Sequence, residues 1–102
     1  MSVIKITKEN FQEKVMNSSK PVLVDFFATW CGPCMLVSPI VDEIAEEKSD
    51  AVVVKIDVDE QPELAKAFGI TSIPTLVVIR DGKVADKAVG LRSKEQILSM
   101  LD

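Results

Sequence analysis

The sequence predicts an α/β fold, a mixed five-stranded sheet flanked by four helices in the order βαβαβαββα. Three observations carry this reading. The segment "PVLVDFFAT" (21–29) is apolar on both faces, as a central, largely parallel strand covered by helices on each side must be. Segments with helical spacing of apolar residues alternate with strand-like runs through the first two thirds of the chain. Beyond them, two runs meet at Asp81-Gly82, a strong hairpin signal. Helix-linked strands imply parallel pairing through right-handed crossovers, and the hairpin adds an antiparallel edge. The helices are expected two on each face.

The elements follow in order. "VIKI" (3–6) is a short strand candidate. Thr7 then offers a helix cap, and Phe11 and Val15 recur at helical spacing through about Asn17. In 21–29, Val22, Val24 and Phe26 face one way, and Leu23 and Phe27 the other. "CMLVSPIVDEIAEEKSD" (34–50) carries Val37, Ile40, Val41 and Ile44 at helical spacing, and Pro39 is expected to kink it. "AVVVKIDVD" (51–59) is the next strand. Pro62 near a helix start and Gly69 after its end bracket "ELAKAF". "PTLVVIRDGKVADKAV" (74–89) reads as two alternating strands. "SKEQILSML" (93–101) closes the chain as a helix, with Ser93 and Gln96 placed for a capping box. No repeat, low-complexity segment or linker interrupts the order.

The 102 residues fit one compact domain, 1–102, with no room for a second. Hydrophobic residues at 47% can build a core without help from disulfides or metal, and 27% charged residues suit a soluble globular chain. A net charge of −4 argues against nucleic acid as a partner, because phosphate binding needs a basic face. No apolar run approaches the ~20 residues of a membrane span. The N-terminal "MSVIKITKENFQEK" has no unbroken apolar segment of leader length, and acidic Glu9 comes early. The expected compartment is therefore cytoplasmic, where thiols are kept reduced. Nothing suggests more than a monomer.

Both cysteines of the chain, Cys31 and Cys34, lie in "FFATWCGPCMLVSP" (26–39). Three uses compete. A structural zinc site needs four ligands, usually Cys and His, and the chain offers two Cys and no His. A staple closing so short a loop removes little chain entropy, on the order of 2 kcal/mol in the simplest account. A reactive dithiol explains more. Strand 21–29 ends near Thr29 and the helix pattern begins near Cys34, which puts Cys31 at the exposed helix N-terminus. Unpaired N–H groups and the positive end of the helix dipole favour a thiolate there. Cys34 is one turn further on, within reach of a disulfide. Pro33 suits the first turn, where no N–H is needed. Gly32 leaves room for another chain's backbone to approach the sulfur.

Asp25 stands in the middle of a strand otherwise apolar on both faces, with Leu23 and Phe27 on its own face. An edge carboxylate facing water is the plain alternative, and the strand pattern argues against it. A buried, uncompensated carboxylate has a raised pKa and can exchange a proton with a buried thiol near neutrality. Lys55 interrupts "VVVKI" in what should be the adjacent strand; a lysine snorkelling from a strand end is its plain reading. Pro74, by sequence alone, is expected to follow a trans bond, as most prolines do.

"WCGPC" after a buried strand resembles the active site of the thioredoxin family. "VLVDFFATWCGPC", "KIDVDE", "FGITSIPTLVVIRDGK" and "VGLRSKEQI" are similar to segments of that family in order and spacing, so the likeness covers nearly the whole chain. The resemblance implies the thioredoxin fold. It implies that Asp25 is the buried carboxyl that assists the second cysteine, with Lys55 beside it as a modulating neighbour. It also implies a cis bond before Pro74, in a loop packed against the dithiol. The backbone of Ile73 would then pair with an extended substrate segment, as an added strand does. Trp30, Gly32, Pro33, Ile73, Pro74, Val89, Gly90 and Leu91 are expected to form an apolar collar around Cys31 that docks partner proteins. Two departures stand out: Phe27 where the family often has Trp, and Met35 where a Lys commonly follows the second cysteine. The second removes a cation near the sulfurs.

The function expected from this resemblance is reduction of protein disulfides by dithiol–disulfide exchange. Cys31 is the nucleophile, Cys34 the resolving thiol and Asp25 the proton carrier. No metal or bound cofactor is needed. The family implies that a thioredoxin reductase restores the dithiol with electrons from NADPH. A thiol oxidant or isomerase of the same fold remains open, disfavoured by Gly-Pro between the cysteines. So does a binding module that uses the collar without redox turnover, which the intact set of Cys31, Cys34 and Asp25 argues against.

Overall fold

Strand β2 (Val22–Phe27) is buried on both faces and occupies the middle of the sheet. The computed structural model describes residues 3–102; Met1 and Ser2, on which the expected domain begins, lie outside the described residues. Around β2 the remaining elements follow in sequence. Before it come β1 (Ile4–Lys5) and helix α1 (Lys8–Phe11), which runs on as a π-helical turn (Gln12–Met16). After it come α2 (Gly32–Glu47), β3 (Val52–Asp57), α3 (Pro62–Ala67), β4 (Thr75–Arg80), β5 (Lys83–Val89) and α4 (Lys94–Leu101). The strand order is β1-β3-β2-β4-β5. β3 is parallel to β1 and β2, whereas β4 is antiparallel to β2 and to β5. This is the predicted mixed sheet.

The alternation of β2 divides the core in two. Leu23 packs with Val37, Val41 and Ile44 of α2 and with Ile97 and Leu101 of α4. Val22, Val24 and Phe26 pack on the other face with Val15 from the π-helical turn and Leu64 of α3. The helices therefore sit two on each face, as expected. Register extends the division to neighbouring strands. Leu23 pairs with Val53 and Val78, and Asp25 with Lys55 and Leu76. These residues face α2 and α4, because paired residues share a face of the sheet.

Two details differ from the sequence reading. The first helix changes its winding: Asn17 N–H donates to Gln12 O at 2.9 Å, five residues back, a π-type bond that no periodicity in the sequence announces. β4 was expected to alternate but is buried on both faces along Thr75–Ile79, because β2 and β5 flank it and helices cover it. β5 is the edge strand and is mostly exposed. Pro39 lies inside α2, which continues through it from Gly32 to Glu47.

The hairpin turn and the last helix form as local chemistry dictates. Asp81 and Gly82 both have positive φ, +52° and +75°, as a type I′ turn requires at both central positions. Ser93 Oγ accepts from Gln96 N–H at 3.1 Å, and Gln96 Oε1 accepts from Ser93 N–H at 2.9 Å, which completes the capping box. Among the described residues, no helix is long and apolar enough to cross a membrane. We expect Gly82→Ala to lower stability by about 1–2 kcal/mol, the cost of a Cβ in left-handed backbone. Urea unfolding of the variant against the parent measures this; an unchanged midpoint would contradict it.

Candidate active site

The two cysteines sit where β2 hands the chain to α2. Cys31 N–H donates to Ala28 O at 3.2 Å, which closes the connecting turn. α2 starts at Gly32 with Cys31 as its N-cap and Pro33 in its first turn. Cys31 and Cys34 are joined as a disulfide, their Cα atoms 5.2 Å apart. Cys34 N–H donates to Cys31 Sγ at 3.2 Å. One of the free amides at the helix start thus points at that sulfur. In the reduced dithiol the same amide and the helix dipole favour a thiolate on Cys31.

The loop before β4 closes over the sulfur. The Ile73–Pro74 peptide bond is cis. Ile73 O lies 3.8 Å from Cys31 Sγ. Gly90 N–H donates to Pro74 O at 2.8 Å, and this bond draws Val89, Gly90 and Leu91 alongside the same loop. Trp30 donates its indole N–H to Asp59 Oδ2 at 2.7 Å. Trp30 and Ile73 wall an open groove of about 210 Å³, completed by Val58, Ile70, Thr71 and Ser72. On β2, Asp25 is 1% exposed, and its Oδ1 has no hydrogen-bond partner among the described residues.

This arrangement has many counterparts. The Thioredoxin family model matches residues 2–102. Thioredoxin 1 of Synechococcus elongatus is 50% identical over 98 residues, covering 95% of this chain and 92% of that protein. A thioredoxin of Mycobacterium bovis is 48% identical over 101 residues, covering 98% and 87%. Among solved structures, a mutant thioredoxin from Halobacterium salinarum NRC-1 superposes with a TM-score of 0.90 at 36% identity, covering 98% of this chain and 88% of that one. The chain belongs to the thioredoxin family. Its fold is the thioredoxin fold, and its Cys31–Cys34 disulfide makes it a thiol–disulfide oxidoreductase with protein-disulfide reductase activity.

The sequence-predicted collar is brought together, with two corrections. Trp30, Gly32, Pro33, Val89 and Leu91 are exposed, and Ile73 and Gly90 are half-buried, but Pro74 is buried. Its ring shapes the loop from beneath and offers no docking surface. Cys31 is 4% exposed in the disulfide form, and Cys34 1%, so Cys31 does not stand at an open helix end. Phe27, Val58 and Ile73 pack against the pair and cover it. The asymmetry between the two sulfurs lies in the amide that Cys31 accepts. A Cβ at Gly32 would meet nothing within 4 Å, so the open approach is on that side.

Sequence reasoning left several neighbours out of the expected collar. Met35 and Leu36 are 48% and 62% exposed on the first turns of α2 and extend the apolar rim. Their positions between buried Cys34 and Val37 on a helical period marked them as outward-facing. Asp59, the partner of Trp30, had no local signal. Lys55 does lie beside Asp25 in register, yet its ammonium is engaged elsewhere. It donates to Ser38 Oγ and pairs with Asp42 Oδ1 at 3.1 Å. Among the described residues, no cluster of three His, Cys, Asp or Glu groups is arranged to hold a metal ion.

Burial raises the Asp25 carboxyl from an ordinary 3.8 to about 6; Lys55 pulls it down and Asp42 pushes it up. Desolvation prevails because the charged form has no hydrogen bond at Oδ1 and no direct cation. The folded protein therefore binds this proton more tightly than the unfolded chain does. The stability that the group contributes is fully present below pH 3.8 and is lost as pH rises through about 6. At about 1.4 kcal/mol per pH unit, the gap amounts to on the order of 3 kcal/mol. We expect Asp25→Asn to exceed the oxidised parent in stability at pH 7, with a difference that vanishes toward pH 4. Urea unfolding across pH tests this, and a variant less stable at pH 7 would contradict the account.

Proposed function

We propose that the chain, as a single domain over residues 1–102, is a general cytoplasmic electron donor that reduces disulfides in partner proteins and works as a monomer. The Cys34 amide aimed at Cys31 Sγ carries the assignment of roles, because it lowers the energy of a thiolate at that sulfur alone. Cys31 attacks one sulfur of a substrate disulfide. A Cys31–substrate bond forms, the substrate S–S bond breaks, and one substrate thiolate leaves. Asp25, ionised, takes the proton of Cys34. The Cys34 thiolate attacks Cys31 Sγ, the internal disulfide closes, and the second substrate thiolate is released. Two electrons have passed to the substrate, and Lys55 modulates the proton transfer through its charge near Asp25.

Docking in this reading falls to Trp30, Gly32, Pro33, Ile73, Val89, Gly90 and Leu91, with Pro74 holding the loop. The half-buried Ile73 backbone beside the sulfur suits pairing with an extended substrate segment. The oxidised protein then returns to the dithiol through a thioredoxin reductase with electrons from NADPH, so no metal or cofactor resides on the chain. A disulfide-reduction assay on a protein substrate with dithiothreitol as electron source tests the activity. A metal-free preparation inactive in that assay would refute the reading.

Two variants test the division of labour. Cys34→Ser should accumulate mixed disulfides with substrate proteins, visible as mobility-shifted species on non-reducing gels. Cys31→Ser should accumulate almost none. Equal trapping by both variants would overturn the assignment of Cys31 as nucleophile. Asp25→Asn should bind and attack substrate normally but resolve slowly at pH 7, by about 10²-fold or more if it removes a general base. Rapid-quench measurement of mixed-disulfide decay gives that rate.

A further inference from the structure

The Lys55 ammonium is the cation nearest in register to Asp25, yet both of its partners come from a different element. Ser38 and Asp42 lie four residues apart on α2, hence on one face of the helix. Both reach down to Nζ, which among the described residues pairs with no other carboxylate. The Lys55 side chain is 18% exposed and that of Asp42 57%. The chain of contacts therefore runs from a buried carboxyl, past a half-buried ammonium, to a carboxylate at the surface. Among the described residues, Asp57 is a further carboxylate on this side of the sheet: it stands two residues beyond Lys55 on β3, pairs in register with Phe27 and is buried. β4 faces Asp25 with Leu76, and β2 flanks it with Leu23 and Phe27.

We propose that Asp42 and Ser38 are positioning residues for disulfide exchange: they hold the Lys55 ammonium against α2 and through it set how firmly Asp25 keeps its proton. This rests on the proton-carrying role given to Asp25 above. The two partners act in opposite directions. Asp42 neutralises the ammonium, so Asp25 meets an ion pair where a bare cation would otherwise stand, and the protonated form is favoured. Ser38 tethers the ammonium inward. Without that tether it follows the more exposed Asp42 carboxylate toward water and away from Asp25.

Opposite signs make the test specific. The Asp25 carboxyl is titrated by carbon NMR in the oxidised protein and in Asp42→Asn, Ser38→Ala and Lys55→Gln. Asp42→Asn should lower its midpoint by several tenths of a pH unit or more. Ser38→Ala should raise it, and Lys55→Gln should raise it further. Adding Asp42→Asn to Lys55→Gln should move the midpoint less than Asp42→Asn does alone, because the residue acts through Lys55. The pH at which closure of a Cys31 mixed disulfide reaches half its maximal rate, followed by rapid quench, should shift in the same directions. A merely structural role would not move midpoint and rate profile together with opposite signs for the two variants. If Asp25→Asn resolves slowly but Asp42→Asn leaves the Asp25 midpoint in place, the positioning inference alone is overturned. If Asp25→Asn resolves at the parental rate, the proton-carrying role falls and this inference falls with it.

Discussion

Everything at the site depends on the burial of β2 on both faces. A strand flanked by β3 and β4 and covered by helices above and below has no solvent-facing side. Its end must therefore deliver the chain directly into a helix on one face, and α2 begins within a few residues of Phe27. That geometry puts the N-terminus of α2, with its unpaired amides, at the edge of the core. Cys31 occupies the one position that caps those amides and also meets the loop at Ile73. The same strand has no harmless place for a polar residue, so Asp25 at its centre is forced into the core.

The energetic cost of Asp25 is considerable. On the order of 3 kcal/mol at neutral pH compares with about 5–15 kcal/mol for the whole stability of a domain. A Leu or Asn in its place would relieve that cost. Its presence is intelligible as a trade of stability for a carboxyl whose proton is poised near neutrality, about 6, where a general base works best. The ammonium that could have cancelled the cost is held by α2, which leaves the carboxyl Oδ1 unpaired.

The surface around the sulfurs is built on a different principle. No charged residue stands in the first turn of α2, and the exposed apolar side chains include Trp30, Met35, Leu36, Val89 and Leu91, with polar Thr71 and Ser72 also lining the groove. Apolar contact is non-directional, so these side chains impose no fixed geometry of their own. Directional groups are supplied instead by the backbone at the half-buried Ile73, whose carbonyl oxygen lies beside Cys31. Trp30 itself is steadied by Asp59 through its indole N–H, so the largest exposed side chain is held in one place.

Local chemistry was legible in the sequence. The order of elements, the Asp81-Gly82 turn, the Ser93–Gln96 cap and the helix start at Cys31 each depend on residues close along the chain, and each reads from pattern. Asp25 was legible for the same reason, since one acid in an apolar strand is a local contradiction. Tertiary structure alone decided what depends on distant segments. The burial of Cys31 comes from Ile73 and Val58, and that of both faces of β4 from its neighbours in the sheet. The partner of Trp30 lies 29 residues away. Lys55 had the look of a neighbour to Asp25, and the register agrees, but its ammonium could swing to either side of the gap. Only the descent of Ser38 and Asp42 from α2 fixed which. A long, flexible cation takes the position of its strongest partners, and those partners are set by how helix and sheet pack.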